Sequence, residues 1–152
     1  MTTPTVYEWA GGAPALRRLT DVFYARVRED DVLEPVFRHM GPQHQQHVAD
    51  WLGEVFGGPP VYTDDHGGYP AMLAHHLRLR ITEAQRARWA ALVASSADEA
   101  GLPGDPEFRS AFVAYVEWGT RIAMANSAEG SGPPPAAPVP RWGWGEAPPY
   151  LP

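Results

Sequence analysis

The stretch "WLGEVFGGPPVYTDDHGGYPAMLAHHLRLRITEAQRARW", residues 51–89, carries the signals that decide the fold. An apolar helical run reaching Phe56 stops at Gly57-Gly58-Pro59-Pro60, where a flexible glycine pair precedes two rings that cannot continue a helix. A polar, Gly-rich segment, "VYTDDHGG", then leads into a short helix expected over about 69–76, which ends in two adjacent histidines. Thr82 is placed to cap a further long helix that contains Trp89 and ends at Gly101 and Pro103. On a helix, neighbouring residues point about 100° apart, so His75 and His76 cannot both face one ion from regular geometry. His76 follows Met72 by four and Leu73 by three, which puts it on the apolar side, with His75 nearer the solvent edge.

Working outward, the same 3.6-residue period recurs on both sides. Towards the N-terminus, Leu16, Leu19, Phe23 and Val27 form one face of a helix with Pro14 in its first turn. "DDVLEPVFRHM", interrupted by Pro35, allows one or two helical turns. From Gln43 to Phe56, the residues His44, His47, Val48, Trp51, Leu52 and Val55 share a face. Towards the C-terminus a helix over about 106–125 stacks Phe108, Ala111, Phe112, Tyr115, Gly119, Ile122 and Ala123. No segment alternates convincingly as a strand and no internal repeat is present, so the expected class is all-α.

Composition changes after about Asn126. "SAEGSGPPPAAPVPRWGWGEAPPYLP" replaces periodic apolar positions with proline and glycine, and defines an expected division into a helical domain over 1–126 and an extension over 127–152. The extension reads either as a disordered end or as a segment docked on its own domain or a partner subunit, because Trp142, Trp144 and Tyr150 are apolar anchors a plain linker does not need. The whole chain has 152 residues, which suits one hydrophobic core. Its net charge of −6 gives no global basic footprint for nucleic acid or an anionic membrane. The absence of cysteine removes disulfides, thiolate metal sites and cysteine nucleophiles. The first residues lack a signal-peptide pattern and no apolar run is long enough to span a bilayer, so a cytoplasmic protein is expected.

The six histidines do not form a zinc motif: there is no H-E-x-x-H and no pair spaced by four. A single axial ligand is a different demand, since haem brings four nitrogens and asks the protein for one strong donor and an apolar slot. His76 meets the sequence part of that demand. Taken singly it also reads as a satisfied core histidine, His75 as a surface residue, Tyr24 and Trp89 as core packing, and His44 as a partly exposed helix start.

In combination, "FYARVREDDVLEPVF", "WLGEVFGGPPVY", "HHLRLRI" and "EAQRARWAALV" resemble the group II truncated haemoglobins over about residues 6–126. The resemblance implies a two-over-two helical sandwich around haem b, iron protoporphyrin IX. It implies His76 as the proximal iron ligand, Trp89 as the tryptophan over the distal face, Tyr24 as the distal tyrosine and Phe37 as the aromatic wedged against the haem edge. His44 takes the distal gate position, with His47 as a rival, and Val48 the apolar position one turn later. Met72 would contact the cofactor, and Arg78, Arg80, His75 or Tyr62 would meet the propionates.

The function so implied is binding of O2, NO, CO or peroxide. Oxygen transport, NO dioxygenation or peroxidase-like turnover would follow, the redox reactions drawing electrons from an external reductase, since the chain has no flavin or nicotinamide motif. Catalytic roles would fall to Tyr24, His44 and Trp89. A homodimer is compatible. Competing expectations are a non-haem helical interaction module and a haem sensor or specialised biosynthetic haem enzyme.

Overall fold

The structure, a computed structural model, describes residues 2–132 and 136–145. Among these residues there are eight helices and no strand: α1 Val6–Ala10, α2 Gly12–Val27, α3 Glu34–Phe37, α4 His44–Val55, α5 Val61–His66, α6 Gly68–His76, α7 Glu83–Glu99 and α8 Pro106–Ser127. The all-α expectation is met. The long helices form two packed pairs, α2 with α4 and α7 with α8, and α2 also packs on α7. This is the two-over-two arrangement. Leu16, Leu19, Phe23 and Val27 of α2 are all withdrawn from water, as their spacing requires, each contributing about 1.5–3 kcal/mol relative to an exposed side chain.

Three local devices fix how the shorter elements join these pairs. The Gly57-Gly58 break does more than stop α4. Gly57 has φ +99°, and a Cβ on Gly58 would fall 2.8 Å from both the Gly53 carbonyl oxygen and the Tyr7 ring. The turn is thus closed by the Gly58 N–H donating to Gly53 at 2.8 Å, and α1 is pinned on it by the Tyr7 N–H donating to Phe56, also at 2.8 Å. Second, α7 opens with a capping box: the Gln85 N–H donates to the Thr82 hydroxyl at 3.1 Å and the Thr82 N–H to the Gln85 side chain at 2.9 Å. Third, the segment after α6 is tied to the end of α8. Arg80 N–H donates to the Ser127 carbonyl at 3.0 Å and Ile81 N–H to the Ser127 hydroxyl at 2.9 Å, holding α6 across α8.

Two elements differ from the sequence reading. α1 was not expected; Thr5 caps it by accepting from the Glu8 N–H at 3.0 Å, and Gly11, with φ 110°, closes it and begins α2. The polar, Gly-rich segment after the prolines, for which the sequence reading has no helix, forms α5. Its first turn is held by the buried Glu54 carboxylate of α4, which accepts from the Thr63 N–H at 2.8 Å and the Thr63 hydroxyl at 2.5 Å. A partner on another helix thus adds a negative charge at the helix start, beside Asp64 of the first turn itself.

Of the two readings of the C-terminal extension, its described part takes the docked one, against its own domain. The Trp142 N–H donates to the Val55 carbonyl at 2.7 Å, Val139 is buried, and the Trp144 indole donates to the Pro4 carbonyl at 2.8 Å. Trp144 also meets Trp9 edge-on with ring centroids 6.2 Å apart. Tyr150, the third expected anchor, lies outside the described residues.

Candidate functional site

A cavity of about 250 Å³ opens between the helix pairs, lined by residues of α2 to α8 and by the segment between α6 and α7. Its wall is mostly aliphatic and aromatic, with a few polar groups converging on it. Of the residues singled out from sequence, Tyr24, Phe37, His44, His47, Val48, Tyr62, Met72, His75, His76 and Trp89 all line it.

His76 is half-buried at the end of α6, whereas His75 is exposed. The apolar Met72, one turn earlier, places its carbonyl where the His76 Nδ1–H donates to it at 2.8 Å. This bond fixes the ring orientation and leaves Nε2 as the nitrogen available to a ligand. Burial holds the imidazole below the ordinary histidine value, which keeps it neutral and its lone pair available.

A second group of rings gathers around Tyr24. The phenol and His44 Nε2 share a hydrogen bond of 2.9 Å, in which the hydroxyl donates when the imidazole carries its proton on Nδ1. Phe37 packs on both, with centroids 5.7 Å from Tyr24 and 5.6 Å from His44. Phe23 lies between Tyr24 and Trp89, edge-on to each at 4.9 and 5.0 Å. Burial raises the Tyr24 phenol well above its ordinary value and lowers His44 to about 4, so both are uncharged near neutral pH. Among the described residues the Trp89 indole N–H has no hydrogen-bond partner within the chain.

His47 occupies a different environment. Its ring lies against His66, tilted by 41° with centroids 4.1 Å apart, and the His66 Nε2–H donates to Asp50 at 2.9 Å. Tyr62, expected to meet a propionate, sits on α5 and is only 1% exposed, edge-on to Trp51. Arg78 and Arg80 do not line the cavity. Both have positive φ, 69° and 51°, and the exposed Arg80 lies 3.8 Å from Glu129. The tight turn that ties this segment to Ser127 carries them away from the cavity wall.

Several lining residues were read from sequence only as core or not at all. Trp51 donates to the Tyr115 hydroxyl at 2.7 Å and stacks on Tyr69 at 5.9 Å. Trp118 and Gly119 on α8 complete that side. Arg86, buried on α7, lines the cavity with its charge met by Glu83 at 2.6 Å and Glu117 at 3.7 Å. The available signal was the α4 stripe: Trp51 lies seven residues after His44 and so shares its face.

The donor set is thus one neutral, oriented imidazole with an apolar surround, no thiolate, and hydrogen-bond donors on another part of the same wall. Among the described residues no group of three or more histidines and carboxylates is placed to hold a metal ion by itself. Such a site fits a planar cofactor that brings most of its metal's ligands, and does not fit a bare ion.

Comparison with known proteins points to a globin. The model of the bacterial-like globin family matches residues 5–117. The group 2 truncated haemoglobin YjbI of Bacillus subtilis is 33% identical over 94 residues, spanning 62% of this chain and 70% of that protein. The group II truncated haemoglobin of Bacillus anthracis superposes with a TM-score of 0.74 at 26% identity, over 87% of this chain and 98% of that one. The truncated oxygen-avid haemoglobin of Bacillus subtilis does so with a TM-score of 0.69 at 30% identity, over 80% and 98%. The chain belongs to the bacterial-like globins and, among them, to the group II truncated haemoglobins.

Proposed function

We propose that this globin holds haem b in the cavity through His76 and reversibly binds O2 and related diatomics, with NO and CO as further ligands. One observation carries the reading: His76 Nδ1 is committed to the Met72 carbonyl while the ring lines a cavity shared with Tyr24, His44 and Trp89. The likeness to an oxygen-avid haemoglobin supports the choice of O2. Haem would supply an iron that takes up a diatomic and electron density to polarise it.

The chain's residues supply the rest. His76, neutral and oriented, would hold the iron, and Met72, Val48 and Phe37, which line the cavity, would keep water from the cofactor. His75 lines the cavity and is the residue on hand for a propionate, whereas Arg78 and Arg80 do not line it. On the remaining wall the Tyr24 hydroxyl and the Trp89 indole are donors, and donors aimed at a ligand that gains negative charge slow its release. His44 sets the Tyr24 hydroxyl: a phenol that donates to His44 is withheld from the ligand, and one released by His44 is offered to it.

These same donors suit NO dioxygenation or peroxide reduction, with an external reductase as electron source. We read residues 127–152 as an extension of the globin domain of residues 1–126, its described part docked on that domain through Val139, Trp142 and Trp144. The test is the absorption spectrum of purified or hemin-reconstituted protein in the ferric, dithionite-reduced and CO-bound states. A Soret band that shifts with CO is expected. A colourless chain that takes up no hemin would overturn the reading and favour a non-haem interaction module.

A further inference from the structure

Beyond the distal pocket, a second aromatic system leads from the cavity to the surface. Trp51 and Tyr115 both line the cavity and are joined by the 2.7 Å hydrogen bond between indole and phenol. Tyr115 meets Trp142 of the C-terminal extension with centroids 5.6 Å apart, and Trp142 meets Trp118 at 5.7 Å. Trp118 lines the cavity from α8 and is also 37% exposed, one of few large apolar side chains at the surface. The described part of the extension is fastened at this point by the Trp142 N–H to Val55 bond, so Trp142 is placed by backbone as well as by packing.

We propose that Trp51, Tyr115, Trp142 and Trp118 form an electron relay that lets the protein oxidise one-electron donors, of the phenol or aromatic amine class, at a surface site formed by Trp118 and Trp142. The proposal rests on the haem reading and adds a substrate site to it. Indoles are the most readily oxidised side chains after phenols that can shed their proton. Tyr115 is buried, which holds its phenol well above the ordinary value, and its hydroxyl accepts from Trp51. It therefore bridges the indoles while they carry the charge. Among the described residues neither the Trp118 nor the Trp142 indole N–H has a partner within the chain, which leaves their protons to solvent.

The oxidant is a hydroperoxide. Its O–O bond breaks as it takes up two electrons and two protons to give an alcohol, or water, and a second water. The electrons pass one at a time through the relay. A surface indole that loses an electron and its N–H proton is restored by one electron and one proton from the donor, so two donor molecules are oxidised per hydroperoxide. The Trp9 and Trp144 pair is an internal contrast. It is equally aromatic and half-buried, but it does not line the cavity, and its indoles donate to Asp105 and Pro4.

The experiment uses the full chain reconstituted with hemin, with the Soret band and hydrogen peroxide consumption recorded on the same sample. A nitroso spin trap is present, and adducts are mapped by mass spectrometry after digestion. Adducts are expected on Trp118 and Trp142, severalfold above Trp9 and Trp144. Trp142→Phe should lose its own adduct and keep the wild-type Soret band. The double variant Trp118→Phe, Trp142→Phe should lose surface labelling and slow oxidation of a bulky phenol. A haem-loaded protein that consumes peroxide yet labels only Tyr24 or Trp89, or labels nothing, overturns the relay and leaves the haem reading standing. A chain that takes up no hemin overturns the haem reading and the relay with it.

Discussion

His44 and His47 lie three residues apart on α4 and line the same cavity, yet their surroundings are opposite in kind. His44 is enclosed by Tyr24 and Phe37, hydrogen-bonded to a phenol, and held neutral by burial. His47 faces His66, which is itself paired with Asp50, and loses less to burial. One helix thus presents an enclosed, hydrogen-bonded ring to one part of the cavity and a ring packed on a second histidine to another. The difference comes mainly from neighbours on α2, α3 and α5. Spacing along a helix says which residues share a face, but the facing elements decide what chemistry each performs.

The two histidines should differ most in ligand release. If Tyr24 donates to bound O2, Tyr24→Phe should speed O2 dissociation by about tenfold or more, the cost of one hydrogen bond to a partly charged acceptor at ~1.5–3 kcal/mol. Stopped-flow displacement by CO measures this. His44→Ala should change the same rate through Tyr24, and the double variant should show strong non-additivity, because the two groups share one hydrogen bond. His47→Ala should leave the rate close to wild type. Equal effects of the two histidine variants would erase the distinction between them.

Acid stability is the next largest effect. His44 stands at about 4 in the fold against the usual 6.5, and burial is the main cause. The unfolded chain therefore takes up this proton first. The contribution of a neutral His44 is fully present above pH 6.5 and is lost as pH falls from there towards 4. Urea midpoints of the cofactor-free chain across that range should fall with pH, and His44→Gln should flatten the slope. His47→Gln should alter it less, since burial holds that ring down less strongly. The smallest expected effect is at the other end of the cluster. Asp50→Asn weakens a half-buried pair with His66 and should cost under about 1 kcal/mol in the same assay.

Much of this fold is legible in the residues because the long helices bury strongly periodic faces and carry local stop signals. Leu16, Leu19, Phe23 and Val27 place α2, Thr82 and Gln85 begin α7, and Gly57 to Pro60 end α4. α1 is short enough that its five residues show no period, although Thr5 and Glu8 carry the beginnings of a cap. α5 is invisible locally because the group that holds its first turn, Glu54, belongs to another helix.

The site divides in the same way. The position of His76 relative to Met72 and Leu73 foreshadows both its burial and its bond to the Met72 carbonyl. The environments of His44 and His47, the burial of Tyr62 and the outward turn of Arg78 and Arg80 follow from contacts between elements, which no spacing records. The docking of Trp142 and Trp144 is of this kind too: composition marks them as anchors, and only the folded chain shows that the surface they hold is their own.

The most direct test concerns His76. In His76→Gly the imidazole is removed and its space is left open, so free imidazole can take its place. Hemin titration of this variant, followed by the reduced CO spectrum with and without added imidazole, should show weak or lost haem retention, and recovery of the wild-type Soret band when imidazole is supplied. A His76→Gly protein that retains haem with an unchanged spectrum in the absence of imidazole would contradict the assignment of His76 as the iron's ligand.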